Sequence, residues 1–249
     1  MKTNGKLRHI LVELRGHIPF TAFGALLGIL FMMGFRYLGA GGGTALFRVF
    51  HPAHVVLSAM VTASMFRLHA RRGVLVVLVV GYLGSVGIAT LSDIIIPHIG
   101  ASVLGLDIPT HSQIHSAVDA AADAPTDAEH HHDRQKLHLG FIEEWYLVNP
   151  AALIGILIAL FYPRTKFSHS GHVLISTWAS SSYLLMSLRA DLSVGVVAGI
   201  ALTLFIATWV PCCISDIVFP LLFVEPDLSL AGACPDHRLH SHPHKSLSG

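Results

Sequence analysis

His51-Pro-Ala-His54-Val-Val-Leu-Ser58 aligns with His169-Ser-Gly-His172-Val-Leu-Ile-Ser176 at an offset of 118 residues, and Thr62 then falls on Ser180. Both copies read H-x-x-H-x-x-x-S-x-x-x-[S/T] at the start of an apolar run, a pattern that apolar composition alone does not generate. Further out, Ser92-Asp93-Ile94-Ile-Ile-Pro97 matches Ser215-Asp216-Ile217-Val-Phe-Pro220 at an offset of 123. Upstream, Gly24-Ala-Leu-Leu-Gly-Ile-Leu-Phe31 resembles Ala152-Leu-Ile-Gly-Ile-Leu-Ile-Ala159 more loosely. Three matched segments in one order mark an internal duplication, and a few residues of loop variation account for the change of offset.

Composition names the solvent of these halves. Hydrophobic residues are 53% of the chain and charged residues 12%, against roughly 25% charged in a soluble domain. A hydrocarbon core about 30 Å thick needs roughly 20 apolar residues in helix. Six runs approach that length: Ile18 to Tyr37, Ala53 to Phe66 with its flanks, Val74 to Ile96, Leu147 to Tyr162, His172 to Leu188, and Leu192 to Val210 with an apolar extension to Val224. The expectation is an all-α polytopic membrane protein of about six transmembrane helices, with the lipid bilayer as its first partner. Residues 1–106 would form the first three-helix repeat, 107–146 a His/Asp-rich extracytoplasmic linker, 147–224 the second repeat and 225–249 a His-rich cytoplasmic tail.

Positive charge orients the spans, because cytoplasmic segments retain Lys and Arg. With the N-terminus inside, the inner segments hold Lys2, Lys6, Arg8, Arg15, Arg67, Arg71, Arg72, Arg164, Lys166, Arg238 and Lys245, 11 of the 16. Arg36, Arg48, Arg134, Lys136 and Arg189 fall outside. Both termini are thus expected in the cytoplasm of a plasma membrane of prokaryotic type. The first span is too long for the core of a typical signal peptide. Three spans per half make the second half enter from the opposite side, so the repeat is inverted, the architecture of many secondary transporters. The third helices are expected to be broken by proline, at Pro97 in one half and at Pro211 and Pro220 in the other.

Each H-x-x-H motif lays one polar stripe along an apolar helix: His51, His54, Ser58 and Thr62 in the first half, His169, His172, Ser176 and Ser180 in the second. Hydrocarbon would leave these groups unsatisfied, so the stripes should face the bundle interior. Asp93 and Asp216, beside Ser92 and Ser215, are ionisable groups inside membrane segments and hence candidate functional groups. The serines and threonines also have a plain reading, as hydrogen-bonding contacts between helices.

Histidine is over-represented, 18 residues against 16 Lys and Arg together, and imidazole serves metals and protons. The candidate metal-binding set is His54, Asp93, His172 and Asp216, with His51, His169 and Cys213 as further ligands. Cys212 reads as a small apolar packing residue. Two imidazoles and two carboxylates suit Zn²⁺, Ni²⁺, Co²⁺, Mn²⁺ or Fe²⁺, and the adjacent cysteines favour Zn²⁺. Two geometries are open: separate gates at the two surfaces if the helices span simply, or one midplane site if the broken helices re-enter. The whole outer loop from Pro97 to Trp145, which contains that linker and carries His98, His111, His115, His130, His131, His132 and His138, and the tail, with Cys234, Asp236, His237, His240, His242 and His244, read either as solvated segments or as metal-capturing tracts.

These features point to a transporter of a divalent transition-metal cation, in either direction, with the metal as substrate rather than cofactor. A homo-oligomer or a separate energising subunit is compatible with them. The alternatives are a membrane-embedded metal-dependent hydrolase or transferase, and a proton-conducting or transporter subunit using the same groups as a relay. There is no H-E-x-x-H or G-x-S-x-G motif, and no basic stripe for nucleic acid. The glycines from Gly39 to Gly43 read as a turn before the second span.

Overall fold

The computed structural model describes residues 3–69, 73–106, 144–162, 166–188 and 193–213, with side chains for 15–67, 73–106, 144–162, 171–188 and 193–212. Every regular element among them is helical: α1 (Thr3–Phe35), α2 (Gly39–His69), α3 (Val74–Thr90), α4 (Ile96–Val103), α5 (Trp145–Phe161), α6 (Lys166–Met186) and α7 (Val194–Cys213). A 3-10 turn at Arg36–Leu38 joins α1 to α2, and a π-turn at Leu91–Ile95 joins α3 to α4. Arg15–Arg67, Val74–Val103 and Val194–Cys212 are long and apolar enough to cross a membrane, and Trp145–Phe161 is a shorter apolar helix. Phe23, Leu30, Leu75, Leu83, Leu153 and Leu202 stand exposed on the outside, while His51, His54, Asp93 and His172 are fully buried. Apolar side chains outward and ionisable ones inward is the reverse of a water-soluble bundle.

Side-chain contacts give the helix directions. Gly24 faces Val173 and Thr177, and Gly28 faces Thr177 and Ser181, so α1 and α6 run parallel. Gly43 faces Met186, Phe47 meets Tyr183 and His54 meets His172, so α2 runs against α6. Along α5 the order Glu144, Gly155, Ala159 follows Arg48, Val56, Arg67 of α2, a parallel pair begun by an Arg48–Glu144 ion pair of 2.7 Å. Gly81 beside Ala63 and Asp93 beside His54 set α3 against α2. Thr208 beside Thr177 and Cys212 beside Ser176 set α7 against α6. Helices α1, α3–α4 and α6 therefore share one direction, and α2, α5 and α7 the other.

Small residues permit these approaches, as they do where apolar helices of membrane length pack closely. A Cβ at Gly155 would collide with the Val56 carbonyl, and one at Gly28 with Thr177 and Ser181. The expected turn at Gly39 to Gly43 is shorter than its glycine content implied. Only Gly39 has a left-handed backbone (φ 61°), while Gly41 to Gly43 are already helical and Gly43 packs against Met186. The second span therefore begins well before Ala53. His98, expected in the outer linker, sits within α4.

Helix α7 holds Pro211 without a break, Pro220 lies outside the described residues, and the helix carrying Asp93 does not break at Pro97 either. It continues from Val74 to Val103 through the π-turn. Pro97 has no N–H to offer the Asp93 carbonyl, and its ring crowds that oxygen in a regular α-helix. The Ile96 N–H bonds to the Leu91 carbonyl, five residues back, instead of to Ser92. The Ser92 carbonyl freed by this shift accepts from Ser180 Oγ of α6 at 3.0 Å. Such π-turns are common at functional sites because the extra residue re-aims side chains.

Candidate metal centre

Asp93, aimed inward by the π-turn, organises the buried polar core. Its Oδ2 lies 2.9 Å from His51 Nδ1 and 2.7 Å from His54 Nδ1. Its Oδ1 accepts from Ser92 Oγ at 2.6 Å and lies 3.4 Å from Ser176 Oγ. A carboxylate only accepts, so both imidazoles carry a proton on Nδ1 and both leave Nε2 as the nitrogen that can act otherwise. Neither Nε2 has a hydrogen-bond partner among the described residues. His51 is held further by Phe47, whose ring stacks on it at 4.9 Å. A buried imidazole oriented by a carboxylate at one nitrogen and open at the other is the arrangement of metal-ligating histidine.

Opposite His54 stands His172 of α6. The two rings stack with centroids 4.7 Å apart, so the first-half and second-half copies of the H-x-x-H motif meet through their second histidines. Separate gates at the two surfaces do not describe this pair. Cys212, near the end of α7, completes the group: one ring nitrogen of each histidine and Cys212 Sγ all lie within 4.8 Å of one another. The thiol also lies 3.7 Å from Ser176 Oγ. Tetrahedral Zn²⁺ with bonds of about 2.0–2.3 Å has ligand-to-ligand edges of roughly 3.3–3.6 Å. Contraction by about an ångström through side-chain rotation would bring all three donors onto one ion.

The other expected residues fall as follows. Ser58 and Thr62 are buried on the same stripe as His54, and Ser58 Oγ has no hydrogen-bond partner among the described residues. Ser176 and Ser180 are buried and tie α6 to Ser92 and Asp93. His169 lies in α6 and Cys213 ends α7, but their side chains lie outside the described residues, as do Ser215 and Asp216 altogether. Within the described set Asp93 contacts the imidazoles and acts as their orienting carboxylate. Cys212, taken from sequence as packing, is the cysteine beside the histidines. Its position was readable: Ile200, Leu204, Thr208 and Cys212 recur every four residues and are all buried, which turns the next residue about 100° away.

A second feature unseen in the sequence leads away from this core. His98 Nδ1 lies 3.0 Å from Tyr183 Oη. Tyr183 packs edge-on against Phe47, the ring that covers His51. The π-turn brings His98 onto the α6-facing side that also carries Ser92 and Asp93. Phe47, Ile94, Tyr183 and Met186 form a small apolar cluster between that half-buried histidine and the buried ones.

No protein-family model, curated protein or solved structure matches the chain. Fold and site together define an all-helical bundle with membrane-length apolar helices and a buried cluster of histidine, aspartate and cysteine.

Proposed function

We propose that the protein carries a divalent transition-metal cation across a membrane, as a six-span bundle of two inverted three-helix halves, with the ion held between His54 and His172. The observation that carries this reading is the stacking of those two rings in a fully buried core. They occupy equivalent positions of the duplicated motif, and repeat interfaces near the membrane centre are where inverted-repeat transporters bind substrate. The helix directions support the inversion: α1, α2 and α3–α4 run opposite to α5, α6 and α7, their counterparts in the repeat. Asp93 orients His54, and an open fourth coordination position leaves the ion exchangeable. Asp216, as the repeat partner of Asp93, is assigned the same role in the second half.

The test is metal entry into phosphatidylcholine/phosphatidylglycerol vesicles that contain the full-length protein and a metal-sensitive dye, with Zn²⁺, Co²⁺, Ni²⁺, Mn²⁺ and Fe²⁺ compared. Saturable entry that falls to the rate of protein-free vesicles in the His54→Ala plus His172→Ala protein is the expected result. Entry at the protein-free rate for every ion would overturn the proposal. An open fourth position also suits water activation, so tight binding without entry would favour an embedded metallohydrolase.

A further inference from the structure

The class of ion is written in the third donor. Mn²⁺ and Fe²⁺ sites are commonly built from carboxylate and imidazole, and the sequence pattern of paired His and Asp admits both. The described core differs from that pattern. The Asp93 carboxylate is committed to two imidazoles and two hydroxyls, which leaves it little capacity for an ion. Among the described residues the third donor beside His54 and His172 is sulfur, with Cys212 Sγ within 4.8 Å of their donor atoms. The three donors are fully or almost fully buried, at 0%, 0% and 1% exposure. His54 adds a ring nitrogen that is buried without a hydrogen-bond partner among the described residues.

We infer that His54, His172 and Cys212 form a nitrogen–nitrogen–sulfur site that selects a thiophilic divalent ion, Zn²⁺ or its heavier congener Cd²⁺, over Mn²⁺. The inference rests on the metal-carrier reading for its biological meaning but concerns only which ion the site takes. The chemistry balances simply. The Cys212 thiol gives up its proton, the thiolate and two neutral imidazoles each donate an electron pair to the ion, and one proton is released per ion from the sulfur. Ser176 stands where that proton would first go, 3.7 Å from Cys212 Sγ and 3.4 Å from Asp93 Oδ1. Soft sulfur favours Zn²⁺ strongly over Mn²⁺, which prefers oxygen.

The experiment uses full-length protein in detergent with Cys213→Ser and Cys234→Ser in place, so that Cys212 is the one thiol left. Co²⁺ at one equivalent serves as the optical probe, and Zn²⁺ at one equivalent is studied by X-ray absorption. The expected results are a near-ultraviolet sulfur-to-Co²⁺ charge-transfer band and a sulfur scatterer about 2.3 Å from Zn²⁺. Adding Cys212→Ala should abolish the band and reduce the Zn²⁺/Mn²⁺ affinity ratio by at least about tenfold. Absence of the sulfur scatterer around Zn²⁺ overturns the inference without recourse to any Cys212 variant, and so does a band that survives Cys212→Ala. If the sulfur signature is present while vesicles admit no metal, the site stands and the carrier reading falls. If metal enters the vesicles with no sulfur signature, the carrier reading stands and the ion class falls.

Discussion

The two stripe-bearing helices, α2 and α6, begin from the same motif and solve the burial of polar groups differently. On α6 most hydroxyls bond within their own helix, and Ser176 is the one that reaches across to Ser92 and Asp93 instead. Thr177, Ser181 and Ser182 each donate to the carbonyl four residues back, while the single Ser180 proton is shared between the Ser176 and Ser92 carbonyls. On α2 the stripe depends on its neighbours. His51 and His54 both lean on Asp93 from another helix, and their Nε2 atoms and Ser58 Oγ have no hydrogen-bond partner among the described residues. A helix that satisfies its own hydroxyls is a scaffold, whereas one with buried donor nitrogens held open is poised for a ligand. The α6 helix supplies one ligand, His172, from an otherwise closed surface, and α2 supplies the electrostatic dock.

Substitutions can break or sharpen that contrast. The largest effect is expected at the ligands: His54→Ala and His172→Ala should each weaken Zn²⁺ binding by more than about 100-fold, beyond the loss seen for supporting residues. His51→Ala should cost less than either, because His51 shares Asp93 but lies outside the three-donor group. Competition with a chelating dye measures all three. Equal losses at positions 51 and 54 would make α2 a double ligand and remove the asymmetry.

Asp93→Asn comes next. The amide can no longer accept from two Nδ1–H groups with a full charge, so His54 loses the group that fixes its tautomer. A loss of about 10–100-fold in Zn²⁺ affinity is expected, as for other orienting carboxylates. Because the aspartate is not assigned as a ligand, the Co²⁺ spectrum should keep its charge-transfer band at saturating metal. Disappearance of the band at saturation would return Asp93 to the coordination sphere.

Acidity should act in the same direction through the ligands themselves. Imidazole must be neutral and the thiol ionised to bind, and protons compete at all three donors. Affinity is therefore expected to rise steadily from the acidic to the alkaline limit at which the protein stays folded. Titrating Zn²⁺ binding between those limits checks the sign; an affinity independent of pH would exclude imidazole and thiol ligands together.

The smallest effect belongs to the scaffold. Ser181→Ala removes a hydroxyl whose bond among the described residues stays within α6, at 2.7 Å to the Thr177 carbonyl, so metal affinity should not change. Ser180→Ala removes the donor to the Ser92 carbonyl beside the π-turn. It should destabilise the fold by about 0.6 kcal/mol, the mean for hydrogen bonds between membrane helices, as read by thermal unfolding in detergent. A larger affinity loss for Ser181→Ala than for Ser180→Ala would contradict the self-satisfied reading of α6.

Sequence carried the periodic part of this architecture. Stripes at His51, His54, Ser58 and Thr62 and at His172, Ser176 and Ser180 are legible because helical geometry turns spacing into a shared face, and all seven residues are buried. What lay outside it depends on backbone detail or on tertiary partners. Pro97 announces an irregularity, yet whether it yields a break, a re-entrant loop or a π-turn depends on Ser180 being present to take up the freed Ser92 carbonyl. The choice of Cys212 over its neighbour was accessible from the spacing of Leu204 and Thr208, but only by treating α7 as a helix packed against α6. The meeting of His54 with His172 required the antiparallel pairing of α2 and α6, which no local pattern encodes.

A double-mutant cycle at positions 54 and 172 tests the central claim most directly. Zn²⁺ affinity is measured for the wild-type protein, His54→Ala, His172→Ala and the double variant. If both histidines hold one ion, the losses are strongly non-additive and the double variant binds scarcely worse than either single variant. Losses that add, to within about 0.5 kcal/mol, would place the two imidazoles on independent sites and contradict a shared ion between the two halves.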